Sequence, residues 1–287
     1  MKLVRFGPAG REKPGLIDAG GVVRDLSARI ADLDAKALAP DRLAELRKID
    51  PTTLPAVSGQ PRLGVPVAGI GKLVAIGLNF ADHAAESGLQ PPKEPVIFMK
   101  ATSAISGPYD PVIIPRNSRK TDWEVELALV IGRVARHVEE RDAIAHMAGY
   151  TICNDVSERE FQIERGGQWT KGKSCDTFAP IGPWLVTPDE IPDPQKLAMR
   201  LDVNGERMQT GSTATMIFGV AHLVSYVSRF MTLYPGDVIT TGTPPGVGMA
   251  KKPPRYLKPG DVMTLAVAGL GEQRQTCAAW SPAMAAQ

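Results

Sequence analysis

The sequence has few residues of the kinds that cross-link small secreted domains or anchor a chain in a membrane. Among 287 residues it contains three cysteines, Cys153, Cys175 and Cys277, which do not have metal-ligand spacing. An odd and widely separated set argues against a disulfide framework and is typical of a reducing cytosol. The sequence has no run of about 18 apolar residues, and its charged start leaves no room for the apolar core of a signal peptide. We therefore expect a cytoplasmic protein without a membrane span.

An excess of one charge is lacking as well, and aromatic residues are scarce. Lys and Arg number 33 against 31 Asp and Glu, for a formal net charge of +2, and aromatic residues make up 6%. Binding to nucleic acid or to an anionic membrane requires clustered basic residues, so we expect neither partner. What is present is an ordinary apolar fraction of 43%, with 28 glycines and 25 prolines. This composition predicts a sizeable core interrupted by many turns, which favours a β-rich architecture.

Short β-prone runs separated by turns dominate the chain, and helical patterns are few. Strands are expected at 2–6, 14–18, 21–26, 72–78, 95–100, 111–115, 123–132, 150–155, 200–208, 237–242 and 261–269. Helices are expected at 41–48, 140–148, 157–165 and 217–231. Because strands and helices do not alternate, a doubly wound sheet is disfavoured. The pair Asn204-Gly205 predicts a two-residue hairpin turn.

Three carboxylates stand where two of the predicted strands could bring them together. Glu124 and Glu126 are two residues apart on one strand, so their side chains point to the same face, and Asp155 ends another strand. Taken alone, the Glu pair is also typical of a solvated strand face, and a terminal Asp is often a turn former. However, Ala128 and Val130 continue the same face as apolar residues, which indicates a buried strand. Three oxygen ligands without His or thiolate suit a hard divalent cation such as Mg²⁺ or Mn²⁺.

Two further segments carry polar residues at helical spacing. His83 and Glu86 are three residues apart in a short predicted helix that Asn79 could cap, and a carboxylate beside an imidazole raises its basicity. A surface histidine with an incidental neighbour would give the same pattern. Ser157 and Glu160 form a capping box, which predicts a helix with Arg159, Gln162 and Ile163 on one face.

Two turn-rich loops complete the set of candidate segments. Lys171 and Lys173 lie in a Gly- and Pro-bearing loop that follows the helix predicted at 157–165. The loop 240–248, TTGTPPGVG, follows a strand and could present backbone N–H groups to an anion. It lacks the residue order of a nucleotide P-loop.

Six segments in this order resemble the fumarylacetoacetate hydrolase family across roughly residues 70–270. They are GLNFADHAAE, FMKATSA, WEVELALVIG, NDVSEREFQ, WTKGKSCDTFAPIGP and GDVITTGTPPGVG. The stretch ERGGQWTKGKSCDTFAPIGPW looks closest to members that act on 2,4-diketo-3-deoxy-L-fuconate. One position departs: Leu78 stands where many acylpyruvase-type members have Arg.

The resemblance implies an α+β fold that is predominantly β, a mixed β-roll over residues 66–287 preceded by a small N-terminal α+β domain over 1–65. It also implies a homodimer. By the same resemblance Mg²⁺ or Mn²⁺ would be held by Glu124, Glu126 and Asp155. Catalytic roles fall on His83, Glu86 and Lys173, and substrate contacts on Arg159, Gln162 and Thr243.

The activity implied is hydrolysis of the C–C bond of a 2,4-diketo acid, either an acylpyruvate or a 2,4-diketo-3-deoxy sugar acid, to pyruvate and a carboxylic acid. His83, oriented by Glu86, would activate water for attack on the C4 carbonyl. Oxaloacetate decarboxylation, keto-enol isomerisation and ureidoglycolate lyase activity are alternatives at the same site. A metal-dependent binding protein and a structural protein are alternatives of another class. The lid segment 79–90 is expected to close over substrate.

Overall fold

Two mixed sheets carry most of the secondary structure in the computed structural model, which describes residues 1–283 except Ser87 and Leu89. The strands of this part of the chain are β1 (Lys2–Phe6), β2 (Lys13–Ile17), β3 (Val23–Asp25), β4 (Leu73–Gly77), β5 (Val96–Lys100), β6 (Ile105–Ser106), β7 (Val112–Ile114), β8 (Thr121–Asp122), β9 (Val125–Ile131), β10 (Met147–Asn154), β11 (Ser157–Glu158), β12 (Ala179–Val186), β13 (Ala198–Val203), β14 (Glu206–Ser212), β15 (Val238–Thr240), β16 (Val262–Val267) and β17 (Gly271–Ala279). The α-helices are α1 (Pro40–Arg47), α2 (Ala81–Glu86), α3 (Thr170–Lys173) and α4 (Val220–Ser228). The predicted α+β class with predominant β-structure is therefore confirmed.

The larger sheet has the strand order β3-β2-β1-β12-β10-β9-β15-β4-β5, with β6 paired to β12. Its central strands β9 and β10 are antiparallel and buried along their whole length. Such burial is possible because both strands are almost continuously apolar, as strands covered on two faces are. The smaller sheet, β14-β13-β16-β17-β7, packs against β9 and β10. The core therefore surrounds β9 and β10, the two strands that lead to the carboxylates.

The hairpin predicted inside 200–208 is present. β13 and β14 pair in antiparallel register, and Asn204 and Gly205 between them have φ values of 53° and 79°. Two consecutive positive φ angles are the requirement of a type I′ turn, which Asn-Gly satisfies at low steric cost. The Asn-Gly pair alone was therefore sufficient to predict this hairpin.

The N-terminal region continues the larger sheet. β1 pairs with β12, Lys2 opposite Val186 and Leu3 opposite Leu185. The turn-rich segment 51–66 lies along the first strands, through a bridge between Phe6 and Leu63. The domain boundary near residue 65 stays a prediction.

Three of the predicted helices differ from the structure. The segment expected at 140–148 is a 3₁₀ helix, Glu140–His146, that buries only Ala143 and so lacks the apolar face that stabilises α-helices. The segment expected at 157–165 splits into β11, which pairs with β8, and a π-helical turn at Glu160–Glu164. The helix expected at 217–231 is shorter and runs over Val220–Ser228. None of the described helices is long and apolar enough to cross a membrane.

The two predicted helix caps are wrong. The Ser157 hydroxyl donates to the Asp155 carbonyl rather than capping a helix. Asn79 does not cap α2, because its side chain accepts from Phe218 N–H and donates to the carbonyls of Phe218 and Thr241. Both residues instead fix the loops that surround one cavity.

Candidate active site

Three buried carboxylates meet where β9 and β10 run side by side. Glu124 immediately precedes β9, Glu126 lies in it, and Asp155 follows β10. The backbone N–H of Asp155 donates to the Glu124 carbonyl at 2.9 Å, so antiparallel pairing sets the three side chains against one another. One oxygen from each lies within 4.8 Å of the others.

Two lysines form ion pairs with this cluster. Lys173 Nζ, in the last turn of α3, donates to Glu124 Oε2 at 2.8 Å and to Asp155 Oδ2 at 2.7 Å. Lys100 Nζ, at the end of β5, donates to Asp155 Oδ1 at 2.5 Å and to the Val156 carbonyl at 3.1 Å. Both lysines are buried, so these charges interact in a medium of low dielectric constant.

Arg159 is the third cation that pairs with the cluster. Its guanidinium donates to Glu124 Oε1 at 2.6 Å and to Asp122 Oδ2 at 2.9 Å. Burial would lower the pKa of Arg159, but Glu124 and Asp122 outweigh it and raise that pKa. Burial would likewise raise the pKa of Glu124, yet Lys173 and Arg159 lower it to about 2. Glu124 is thus an anion at any physiological pH.

Glu126 differs from the other two carboxylates in its surroundings. Among the described residues no Lys, Arg or His lies within salt-bridge distance of it, and Gly242 N–H donates to its Oε2 at 2.9 Å. Burial, followed by the charges of Asp155 and Glu124, raises the pKa of Glu126 well above its usual range. A bound divalent cation would supply the missing positive charge, and three carboxylates are the donor set that Mg²⁺ or Mn²⁺ prefers. The residues present therefore fit a hard divalent metal, which Glu124, Glu126 and Asp155 would hold.

The histidine–carboxylate pair lies at the cavity on α2. His83 Nδ1 is 3.3 Å from Glu86 Oε2, and His83 is 8% exposed. This contact leaves Nε2 of the imidazole available to a ligand. Ser87 and Leu89, which belong to the predicted lid 79–90, lie outside the described residues.

The loop 241–249 donates backbone N–H groups to three carboxylates of the protein itself. Gly242 N–H donates to Glu126, Gly246 N–H to Glu86 at 3.0 Å, and the N–H groups of Gly248 and Met249 to Asp122. The sequence predicted an anion-binding loop, and its anions are side chains of this site. One loop thereby positions a candidate metal ligand, the His83 partner and the Arg159 partner together.

All the predicted site residues except Glu86 line one cavity of about 250 Å³, and Glu86 adjoins it through His83. Gln162 Oε1 accepts from Arg159 at 3.0 Å. The Thr243 hydroxyl donates to the Val125 carbonyl and accepts from Gln209. Lys171 is exposed and does not line the cavity, so Lys173 is the lysine of that loop that reaches it.

Two residues of the site were missed at the sequence level. Lys100 ends the apolar strand β5, where a lysine is unusual, and Asp122 directly precedes the Trp-Glu-x-Glu segment. A charged residue at the end of an apolar strand is the signal that could have identified Lys100. Asp122 offered no such signal, because its partners Arg159, Gly248 and Met249 are distant in sequence.

The fold and this acidic site define the class of fumarylacetoacetate hydrolase-like enzymes, whose members are hydrolases or isomerases. The family model for the C-terminal part of fumarylacetoacetate (FAA) hydrolase matches residues 72–278, and the chain belongs to this family.

One relative by sequence and one solved structure match the chain over almost its full length. A provisionally named hydrolase of Burkholderia ambifaria is 61% identical over 277 residues, covering 96% of this chain and 98% of that protein. A fumarylacetoacetate hydrolase of Exiguobacterium antarcticum superposes with a TM-score of 0.87 at 36% identity, over 98% of this chain and 100% of that one.

Two other solved structures are of enzymes whose names state a substrate. The maleylpyruvate hydrolase of Sphingobium sp. SYK-6, in complex with manganese(II) and pyruvate, gives a TM-score of 0.82 at 28% identity over 98% of this chain and 100% of that chain. The 2-hydroxyhepta-2,4-diene-1,7-dioate isomerase of Mycobacterium marinum gives a TM-score of 0.75 at 32% identity, over 97% of this chain and 98% of that chain.

Proposed function

We propose that the protein is a metal-dependent hydrolase that cleaves the C3–C4 bond of a 2,4-diketo acid to pyruvate and a carboxylic acid. The observation that carries the proposal is that one cavity is lined by a carboxylate triad, in which Glu126 has no cationic partner among the described residues, and by His83, which contacts Glu86. The maleylpyruvate hydrolase that shares the fold, crystallised with manganese and pyruvate, supports both the metal and the product.

His83 is the base in this reaction. Glu86 fixes the ring through Nδ1, so Nε2 takes a proton from water while the water oxygen bonds to C4. The C3–C4 bond then breaks, its electron pair forms the pyruvate enolate, and C3 is protonated by the imidazolium. Atoms and charge balance: one water is consumed, and the acyl group leaves as a carboxylic acid.

The buried cluster determines the balance of charge at the site. Asp122, Glu124, Glu126 and Asp155 face Lys100, Lys173 and Arg159, so the cluster has one negative charge in excess when Glu126 is deprotonated, the form in which it would bind a metal. A bound divalent metal supplies Lewis-acid stabilisation of the developing enolate charge, worth several kcal/mol. Lys173 lines the cavity as a cation that could stabilise the same charge, and Gln162 and Thr243 line it as orienting groups.

The test measures pyruvate release from acylpyruvates with Mg²⁺, with Mn²⁺ and with chelator. Glu126→Ala should lose bound metal and activity together, whereas His83→Ala should bind metal normally and lose hydrolysis by about 10² to 10⁴-fold. His222→Ala is the matched control, because His222 also contacts a glutamate, Glu140 at 3.1 Å, but outside the cavity. A fully active His83→Ala enzyme would refute the assigned base.

Isomerisation is the second candidate, favoured by the isomerase from M. marinum that shares the fold. It uses the same enolate without water, as does oxaloacetate decarboxylation. The two reactions separate experimentally, since a hydrolase must yield the second carboxylic acid in equal amount with pyruvate. Conversion of substrate without that acid would establish the isomerase or decarboxylase.

A further inference from the structure

One wall of the cavity is apolar from the carboxylate cluster to the mouth. Its side chains are Ile76, Leu78, Phe98, Ile163, Trp169 and Met249. The wall begins beside the cluster, since Lys173 Nζ lies 5.1 Å from the Phe98 ring centroid. Phe98 and Trp169 then meet edge to face at 5.3 Å. A substrate whose carboxylate lies at the cluster has this wall available to its other end.

The wall reaches solvent, where apolar side chains are costly. Ile163 is 49% exposed and Met249 is 36% exposed. The indole of Trp169 lies directly on the backbone of Gly77, where an added Cβ would be 2.5 Å from the ring. Exposed apolar surface that rims a cavity is typical of a ligand-binding groove.

Leu78 adds an independent indication. Its φ is 54°, in the left-handed region, where a leucine costs roughly 1–2 kcal/mol that glycine or asparagine would avoid. The residue is half-buried and lines the cavity, so the strained backbone presents an apolar side chain to the ligand. Strain of this kind is found at ligand contacts.

Apart from His83, Gln162 and Thr243, which the proposed reaction assigns to the reacting end of the substrate, the described cavity lining offers few polar side chains to the far end. Among the described cavity-lining residues the Arg and Lys side chains are Arg159 and Lys173, and both are paired with carboxylates of the cluster. On the apolar wall the indole N–H of Trp169 is the one side-chain donor, because the other five side chains carry none. A second carboxylate or several hydroxyls would therefore be desolvated there without compensation.

We infer that the site selects 2-oxo acids with an unbranched apolar tail, so that its substrates are alkyl acylpyruvates rather than hydroxylated sugar acids or dicarboxylates, and that Leu78 is a specificity-determining residue. The identity of the substrates rests on the proposed function. The preference for the tail is a property of binding and is measurable without turnover.

Three six-carbon probes, 2-oxohexanoate, 2-oxoadipate and 2-oxo-3-deoxygluconate, differ only along the tail. Titration of the Mn²⁺-loaded protein by calorimetry should show 2-oxohexanoate binding at least about tenfold more tightly than either of the others, and more tightly than pyruvate, at roughly fourfold per buried methylene. Equal or tighter binding of 2-oxoadipate or 2-oxo-3-deoxygluconate would overturn the inference, as would failure of all three to bind.

Leu78→Asn introduces a residue that tolerates the left-handed backbone and removes the apolar side chain. It should weaken 2-oxohexanoate binding by about five- to tenfold and leave pyruvate binding within about twofold. Ile144→Asn is the matched control, because Ile144 is 37% exposed and does not line the cavity. Unchanged 2-oxohexanoate binding in Leu78→Asn refutes the role of Leu78. If the probe order holds but no 2,4-diketo acid is cleaved, the hydrolase proposal fails and the binding inference stands.

Discussion

At the scale of single residues, Lys100 shows how the carboxylate cluster is tolerated in the core. The side chain is fully buried, contacts Asp155 and does not line the cavity, so its role is to position Asp155. Removing one partner of a buried ion pair typically costs about 3–5 kcal/mol, and without Lys100 the carboxylate of Asp155 would share its remaining cation, Lys173, with Glu124.

Lys100→Met should therefore lower the free energy of unfolding by roughly 3–5 kcal/mol in the presence of chelator. Mn²⁺ should restore more stability in the variant than it adds to the wild type, because the metal supplies positive charge beside Asp155. Thermal melts with and without Mn²⁺ measure both effects. Lys72→Met, which removes the partner of Asp237 outside the site, is the control and should show no extra metal effect. An equal metal-induced shift in Lys100→Met and wild type would contradict the assignment.

Tyr150 gives the protein a predictable response to alkaline pH. The residue lies in β10 and is 1% exposed, and burial raises the pKa of its phenol to about 12. In the unfolded chain the phenol loses its proton near pH 10, so the unfolded state is favoured progressively between pH 10 and about 12. Wild type should lose roughly 2–3 kcal/mol of stability in that window from this group.

Tyr150→Phe removes the ionisable group while keeping the ring. In urea titrations the variant should lose less stability than wild type between pH 10 and 12, while the two curves run parallel below pH 9. Buried thiols also ionise in this range, but they are common to both proteins. Identical slopes above pH 10 would mean that Tyr150 is solvated in the native state.

At the scale of elements, α2 is held to the rest of the protein by two side chains. Asp82 accepts from the Thr215 hydroxyl at 3.1 Å, and Glu86 accepts from Gly246 N–H at 3.0 Å. Glu86 therefore has two roles, one toward the imidazole of His83 and one toward the loop 241–249. Two substitutions separate these roles.

Glu86→Gln keeps an acceptor for Gly246 N–H but removes the charge beside His83, whereas Glu86→Ala removes both. Hydrolysis should fall by at least about tenfold in both variants, since each weakens the base. Faster hydrogen exchange of the α2 amides should appear in Glu86→Ala alone, because only there is the helix released from the loop. Equal exchange in the two variants would show that Glu86 does not hold the helix.

At the scale of elements, some features could be predicted from the sequence and others could not. The Asn204-Gly205 hairpin and the buried strand β9 follow from local chemistry and pattern, and both were predicted. The helix expected at 157–165 failed because the β11–β8 pairing joins Ser157 to Asp122, which no local rule reports. Asn79 was misassigned for the same reason, since its partners Phe218 and Thr241 lie more than a hundred residues away. Motif order located the candidate site, but the ion pairs within it depend on contacts that only the fold creates.

At the scale of the whole molecule, the N-terminal region is continuous with the rest. β1 pairs with β12, the N-terminal amine donates to Thr187 and Glu190, and Arg62 pairs with Asp110. Leu3 and Leu26 belong to the same hydrophobic cluster as Leu185. A region that completes a sheet and shares its core cannot unfold without exposing the edge of β12 and apolar surface on both sides.

Calorimetric unfolding should therefore show one cooperative transition for the full chain. Leu26→Ala, in the N-terminal region, creates a cavity that typically costs about 2–5 kcal/mol and should shift that single transition to lower temperature without broadening it. If residues 1–65 were an independent domain, the same substitution would instead split off a small early transition and leave the main one in place. Pyruvate release measured through the melt adds a second readout. The sheet that β1 joins also contains β9 and β10, which place the carboxylates. Loss of activity should therefore coincide with the unfolding transition.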